Sequence, residues 1–189
     1  MGRLSRPVLT TERLRLEPLG DEHTELLVEL DSDPEVMRFL LGRASTREES
    51  LAWMPRRTRP EADERGIGYW VGRDAAGTFL GWWCLAVDDD DPGTAELGYR
   101  LRREAWGRGY ATEGSRALLS HAFETLALPS VWAETMVVNT GSRAVMEKLG
   151  LRHVLTEVRS WDAPLPGWEQ GEVRYVMTAT DYRATYQDV

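Results

Sequence analysis

Cysteine, lysine and histidine are nearly missing from this chain, and each scarcity removes a class of function. Cys84 is the one cysteine in 189 residues, so there is no disulfide framework and no thiolate metal site. The three histidines, His23, His121 and His153, are too scattered for metal-ligand spacing, and no metal is expected. Lys148 is the only lysine, with arginine carrying the other basic charge, a bias that reads as base composition rather than function. Long apolar runs are missing too. No stretch is long enough to span a bilayer, and the opening MGRLSRPVLTTERLRLEP has no apolar signal-peptide core, so a reducing cytoplasm is the expected location. Positive charge is in deficit: 31 acidic against 23 basic residues give a net charge of −8, which argues against nucleic acid or an anionic membrane as partner. An acidic surface instead favours solubility and cationic partners.

What is present is an ordinary globular composition, 42% hydrophobic and 29% charged, in a length that suits one domain over residues 1–189. Leu14 and Leu16 alternate with Arg15 and Glu17, which predicts a strand over Leu14–Pro18. Asp21 is placed to cap a helix carrying Leu26, Leu27 and Leu30, and Asp33-Pro34 to start a short helix with Val36, Met37 and Leu40. Thr46 and Glu49 have capping-box spacing for a helix through Leu51, Trp53 and Met54, disturbed at Pro55. From Gly66 the pattern turns to strands: Tyr69-Trp70-Val71, a hairpin turn at 74–77, its partner at 78–87, an acidic turn at 88–93, and Thr94–Leu101. A helix over 109–127 places Ala111, Ser115, Leu118, Leu119, Ala122 and Leu126 on one stripe, and its small first turns let it lie close to a sheet. A strand at 131–138, a helix at 142–149 ended by Gly150, a strand at 151–160, a proline-glycine loop at 162–171 and a strand at Glu172–Thr178 complete the chain. The expected class is α+β with a mixed sheet.

The stretch AELGYRLRREAWGRGYATEG, residues 95–114, organises the rest. A strand, the glycine-bracketed turn Gly107-Arg108-Gly109 and a helix start follow one another, which aims backbone N–H groups and a helix dipole at one spot, a place for a phosphate. A triphosphate-binding loop needs a lysine, and the turn has none. A dinucleotide site, with Glu134 on the ribose, lacks its third glycine, and the preceding strands read as antiparallel. A purely structural tight turn is the remaining plain reading.

Three segments in order, AELGYRL, EAWGRGYATEG and NTGSRAVMEKLGL, resemble the GNAT superfamily of acyl-CoA-dependent N-acyltransferases. More narrowly they look like its Rim-type branch, whose founding members acetylate the N-terminal amine of ribosomal proteins. The resemblance runs from TERLRLEPL at 11–19 to the closing VRYVMT. It implies a mostly antiparallel central sheet, splayed at its central strand, with helices on both faces. It implies acetyl-CoA as the donor, the pantetheine arm along Leu101, Arg102 and Arg103, and the pyrophosphate on Gly107, Arg108, Gly109, Tyr110, Ala111 and Thr112. Free N–H groups around Tyr99–Leu101 would take the acyl oxygen. Asn139 and Ser142 would contact the cofactor, and Asn139 is in any case a good N-cap.

Two positions depart from the family pattern. Glu104 stands where glutamine or arginine usually opens the phosphate motif, so nearby charge falls to Arg102, Arg103 and Arg108. Met146 stands where many relatives carry the tyrosine that protonates the departing thiolate, which leaves Ser142 or water for that task. The reaction also needs a base for the amine. Glu96 is the first candidate, sharing a strand face with Gly98, whose missing side chain leaves room for a substrate. Glu134 on the next strand is the second. Trp161 and Trp168 flank the loop that edges the substrate site in relatives. The expected acceptor is a primary amine, a protein N-terminus or a small molecule, and a homodimer is compatible with all of this. An acyl-CoA-binding regulatory module without turnover, or a longer donor such as succinyl-CoA, are the alternatives.

Overall fold

A computed structural model describes residues 6–160 and 163–187 of the protein. In chain order these hold β1 (Leu9–Thr10), β2 (Leu14–Pro18), α1 (Thr24–Asp31), α2 (Arg47–Ala52), α3 (Met54–Arg57), α4 (Pro60–Glu64), β3 (Gly68–Asp74), β4 (Phe79–Val87) and β5 (Thr94–Leu101). There follow α5 (Tyr110–Ser120), β6 (Ser130–Met136), α6 (Thr140–Lys148), β7 (Arg152–Glu157), β8 (Glu172–Thr178) and α7 (Ala179–Tyr186). The strands make one open sheet in the order β1-β2-β3-β4-β5-β6-β8-β7. Every neighbouring pair is antiparallel except β5 and β6. A doubly wound dinucleotide fold, which needs a parallel sheet, is thereby set aside.

Helices cover both faces because β4, the central hairpin strand, is apolar on both. Trp83 and Leu85 point into the larger core with Leu118 and Leu119 of α5 and Leu149 after α6. Trp82, Cys84 and Ala86 point into the smaller one with Leu27 and Leu30 of α1. Trp83 fixes how closely α5 docks. A Cβ on Gly72 would stand 2.1 Å from its ring, one on Gly114 would stand 2.5 Å away, and its indole N–H donates to the Ala111 carbonyl at 3.3 Å. The glycines hold the volume that the indole fills.

Four expectations need correcting. The helix predicted to start at Asp33-Pro34 is a run of turns. Asp33 does accept the Glu35 N–H at 2.9 Å, but the Met37 carbonyl takes three N–H groups, from Leu40, Leu41 and Gly42, and no ladder can propagate from a shared acceptor. Asp21 does not cap the helix at 21–31: Gly20 does, giving its N–H to His23 Nδ1 at 3.1 Å across a single 3₁₀ turn. The helix predicted over 109–127 is α-helical only to Ser120 and then widens to a π turn, His121–Thr125. There the buried His121 ring bonds the Gly66 carbonyl at 2.8 Å. Lastly, α7 was not foreseen. Thr178 and Asp181 form its capping box, Tyr182 stacks on Phe123, and the Tyr186 ring lies tilted against Tyr182.

The feature that positions the site lies between β5 and β6. Their parallel pairing covers only Thr94, Ala95 and Glu96 against Ser130, Val131 and Trp132. Beyond Glu96 the strands part, while β5 stays paired with β4 through Leu101. Because the Arg102 N–H points to β4, bonding the Leu80 carbonyl at 2.9 Å, alternation turns the N–H groups of Leu97, Tyr99 and Leu101 into the gap.

A buried charge cluster supports β5 from the smaller core. Asp31, at the end of α1, bridges Arg57 at 3.4 Å and also pairs with Arg100. Both guanidinium groups lie over the Trp82 ring, at 5.4 and 5.1 Å.

Candidate active site

The glycine turn joins the open end of β5 to α5. After one 3₁₀ turn, Arg103–Ala105, the chain enters the left-handed region at Gly107 and Gly109, φ +68° and +84°, where glycine pays no Cβ clash. Among the described residues no backbone acceptor takes the N–H groups of residues 107–112, and those of 110–112 form the first turn of α5, at the positive end of its dipole. A Cβ on Gly107 would meet open space, and one on Gly109 would stand 3.3 Å from the Arg13 guanidinium. Arg13 braces this turn. It donates to the Arg108 carbonyl at 2.9 Å and to Glu113 at 2.6 Å, and it lies 4.6 Å over the Tyr110 ring. Arg108 lies over the same ring at 5.3 Å.

Arg102 and Arg103 are turned elsewhere. Their ion pairs with Glu29 at 3.0 Å and Asp33 at 2.7 Å tie the strand end to α1 and to the segment after it. Leu101 offers its N–H to the gap, while its carbonyl is taken by the Trp106 indole at 2.9 Å.

Glu96 sits at the apex, the last β5 residue paired with β6. It faces the same way as Gly98 and Arg100, and among the described residues its carboxylate accepts no hydrogen bond. Burial, followed by the negative charge of Glu134, pushes its pKa up. Cys84 and Tyr69 lie on the same side of the sheet. Burial holds both protonated, and the Glu96 charge adds to that. Gly98 is needed there for a second reason: a Cβ would stand 3.0 Å from Cys84 Sγ.

Glu134 is a carboxylate of the opposite kind. Burial works against its charge but is outweighed by Arg159, at 2.6 and 3.1 Å, and Arg174, at 3.0 Å, so its pKa falls. Arg159 also holds Glu172 at 2.6 Å and Glu157 at 3.0 Å.

On the other face of β5, the Tyr99 hydroxyl meets the Ser142 hydroxyl at 2.9 Å. Ser142 opens α6, its N–H bonded to Asn139 Oδ1 at 3.2 Å, and Asn139 donates in turn to Thr135 at 3.0 Å. Asn139 is therefore the N-cap, as its residue type predicts. Met146, one turn beyond, is packed in the larger core.

Beyond the C-terminal end of β6 lies a cavity of about 320 Å³. Arg38 and Phe39 from the run of turns, Val138, and Pro166, Glu169 and Gln170 of the loop before β8 line it. Trp168 stands in that loop's 3₁₀ turn. Trp161, the other expected flank, lies outside the described residues.

The family description "Acetyltransferase (GNAT) domain" matches residues 13–152 of the chain. The protein belongs to the GNAT acetyltransferase family. Among curated proteins, the FsC-acetyl coenzyme A-N(2)-transacetylase of Aspergillus fumigatus is 42% identical over 186 residues, 94% of this chain and 79% of that protein. Likeness in fold reaches further than likeness in sequence. The spermidine N-acetyltransferase of Vibrio cholerae, solved with CoA and spermine, superposes with a TM-score of 0.75 at 18% identity over 91% of this chain and 99% of that one. RimL, a ribosomal L7/L12 α-N-protein acetyltransferase solved with CoA, gives 0.73 at 17% identity over 92% and 97%.

Within this GNAT acetyltransferase, the geometry brings most of the sequence-selected residues to the two ends of one gap. Glu96 and Glu134 stand near its closed end, and the glycine turn lies past its open end. Two residues of the arrangement carry no sequence signal for it: Arg13 lies in the TERLRLEPL segment with no motif of its own, and at Tyr99 the resemblance points to the backbone rather than to the side chain. Among the described residues no helix is long and apolar enough to cross a membrane, and no group of three or more His, Cys, Asp or Glu gathers to hold a metal.

Proposed function

We propose that this acetyltransferase moves an acetyl group from acetyl-CoA to a primary amine of a small molecule, by direct attack of the amine on the thioester. The observation that carries this reading is Glu96: a carboxylate without hydrogen bonds among the described residues, its pKa raised, at the apex of a gap whose strand leads to an anion cradle. A raised pKa suits a base that must take a proton near neutral pH and release it again. The cradle fits a pyrophosphate because its N–H groups are unclaimed and its glycines leave the approach open.

In the reaction the acetyl thioester supplies the electrophilic carbonyl. Glu96 takes the amine proton as the C–N bond forms, directly or through one water. The N–H groups of Tyr99 and Leu101 are oriented to hold the carbonyl oxygen as it gains charge. Ser142 hydrogen-bonds the sulphur as the C–S bond breaks, and solvent supplies the proton that neutralises the thiolate. Glu134, clamped by two arginines, holds a fixed negative charge near Glu96 and adds to burial in keeping that pKa high.

A small acceptor is supported by the 42%-identical relative, named for acetyl transfer to an N(2) nitrogen. We read the chain as one domain working in the cytoplasm. The test follows free thiol release from acetyl-CoA, and in parallel from succinyl-CoA, across amino acids, diamines, polyamines and N-terminal peptides. Turnover with acetyl-CoA and small amines is expected. Turnover with peptides alone would return the chain to the Rim-type activity. CoA binding without turnover across the panel would make it a regulatory module, and no CoA binding would overturn both.

A further inference from the structure

Met146 leaves α6 without the hydroxyl that the family pattern puts there, yet a phenol does reach this place from the opposite side. Tyr99 projects from β5 on the face that carries Leu97 and Leu101 into the larger core. Its hydroxyl crosses the gap, where no backbone bond joins β5 to β6, and meets Ser142 at 2.9 Å. Both ends are held. Tyr99 is fixed by the β4 ladder through its neighbours, and Ser142 by Asn139, which Thr135 orients.

Resting on the proposed reaction, we propose that Tyr99 is a positioning residue that aims the Ser142 hydroxyl proton at the departing sulphur. The direction of the bond follows from acidity. A phenol is a far better donor than an aliphatic hydroxyl and a poorer acceptor, so Tyr99 donates and Ser142 accepts. That leaves the Ser142 proton free to point into the gap, and donation into Ser142 Oγ strengthens the bond Ser142 gives in turn. Burial pushes the Tyr99 phenol up to about 12, so Tyr99 stays protonated through the neutral range and donates without losing its proton. No proton changes owner within the pair. The arrangement supplies from the sheet the polar contact that Met146, packed in the core, does not make.

The test uses the full chain with Tyr99→Phe, Ser142→Ala and the double variant. Tyr99→Phe keeps the ring and its packing. Its kcat should fall roughly tenfold, the scale of one hydrogen bond, with KM for acetyl-CoA within about threefold of the parent. The double variant should be no slower than Ser142→Ala alone. Fluorinated tyrosines at position 99 should bring an alkaline limb of kcat into the measurable range, lower for each more acidic phenol. A packing role would produce no such limb.

A second readout needs no turnover. The thiol of bound CoA, titrated by its thiolate absorbance, should ionise at lower pH in the parent than in Tyr99→Phe. An unchanged bound thiol, a loss confined to KM, or additive effects of the two variants would each overturn the proposal. A parent that shifts the thiol yet transfers no acetyl group would overturn the reaction and leave the role of Tyr99 standing.

Discussion

The two sides of the gap are built on opposite terms. On the β6 side, polar groups are satisfied by the protein itself: Glu134 by Arg159 and Arg174, Ser142 N–H by Asn139, Asn139 by Thr135. On the β5 side they are left unclaimed. Glu96 accepts no hydrogen bond among the described residues, the N–H groups of Tyr99 and Leu101 face the gap, and those of residues 107–112 have no backbone acceptor. Most of these groups lie at the surface or only partly covered, so without a protein partner they stay open to a ligand. On the proposed reading, one side is frame and the other is reaction surface. Two glutamates a strand apart show it: burial raises one pKa, while paired arginines lower the other.

The sharpest break in this contrast is Glu96→Gln. We expect kcat to fall by roughly 10²–10⁴ with CoA affinity unchanged, read by thiol release and by calorimetric titration of CoA. Its melting temperature at pH 7 should rise rather than fall. The sign follows from the raised pKa: the stability linked to Glu96 is full below the unfolded glutamate value and is lost as pH rises through the folded one, and glutamine carries no such loss. In the parent, kcat/KM should decline toward acid with a midpoint above about 4.3, the ordinary glutamate value. A midpoint at or below that value would remove Glu96 as base.

Next in size, Gly109→Asp puts a β-carbon and a negative charge at φ +84°, 3.3 Å from Arg13. It should weaken CoA binding by more than about tenfold, from repulsion and strain together, while far-ultraviolet dichroism stays that of the parent. Binding at parental strength would show that the turn is structural only.

Glu134→Gln attacks the frame instead. Freeing Arg159 and Arg174 should cost about 1–3 kcal/mol in denaturant unfolding. With the negative charge gone, the acid limb set by Glu96 should move to lower pH, and an unmoved limb would mean that the two carboxylates are uncoupled. Asn139→Ala is the smallest. Loss of the α6 cap should cost about 1 kcal/mol, and kcat should fall only a few-fold as Ser142 loosens.

How much of this could be read from residue order depends on how local each cause is. The strands β2 to β8 were legible because alternation and turn residues are local signals, and the capping box at Thr46 forms as its spacing requires. The helix at Asp33-Pro34 failed because a start signal does not guarantee a ladder: the buried Met37 carbonyl collects three donors instead. The helix α7 was missed because its weak stripe is held by stacking of Tyr182 on Phe123, a contact between residues far apart in sequence. At the site, the glycine turn and Asn139 spoke through sequence because their jobs are done by backbone conformation and a local cap. Arg13 and Tyr99 were silent. Each acts on a partner across the fold, Glu113 for one and Ser142 for the other, and no spacing within their own segments encodes those meetings.

The indole of Trp83 has a consequence for how the chain could change over generations. Gly72, Trp83 and Gly114 lie on three separate elements but share one volume, and a methyl group at either glycine would stand 2.1 or 2.5 Å from the ring. Substitutions here are therefore ordered in time. Gly114→Ala in the present chain would force α5 off the sheet at an overpacking cost of about 1–3 kcal/mol or more. The same change after Trp83→Leu would fill space the indole had vacated. Lineages leaving this arrangement must pass first through the tryptophan, and a chain that keeps it keeps both glycines. The tilt at which α5 lies on the sheet is thus inherited as a set of three residues.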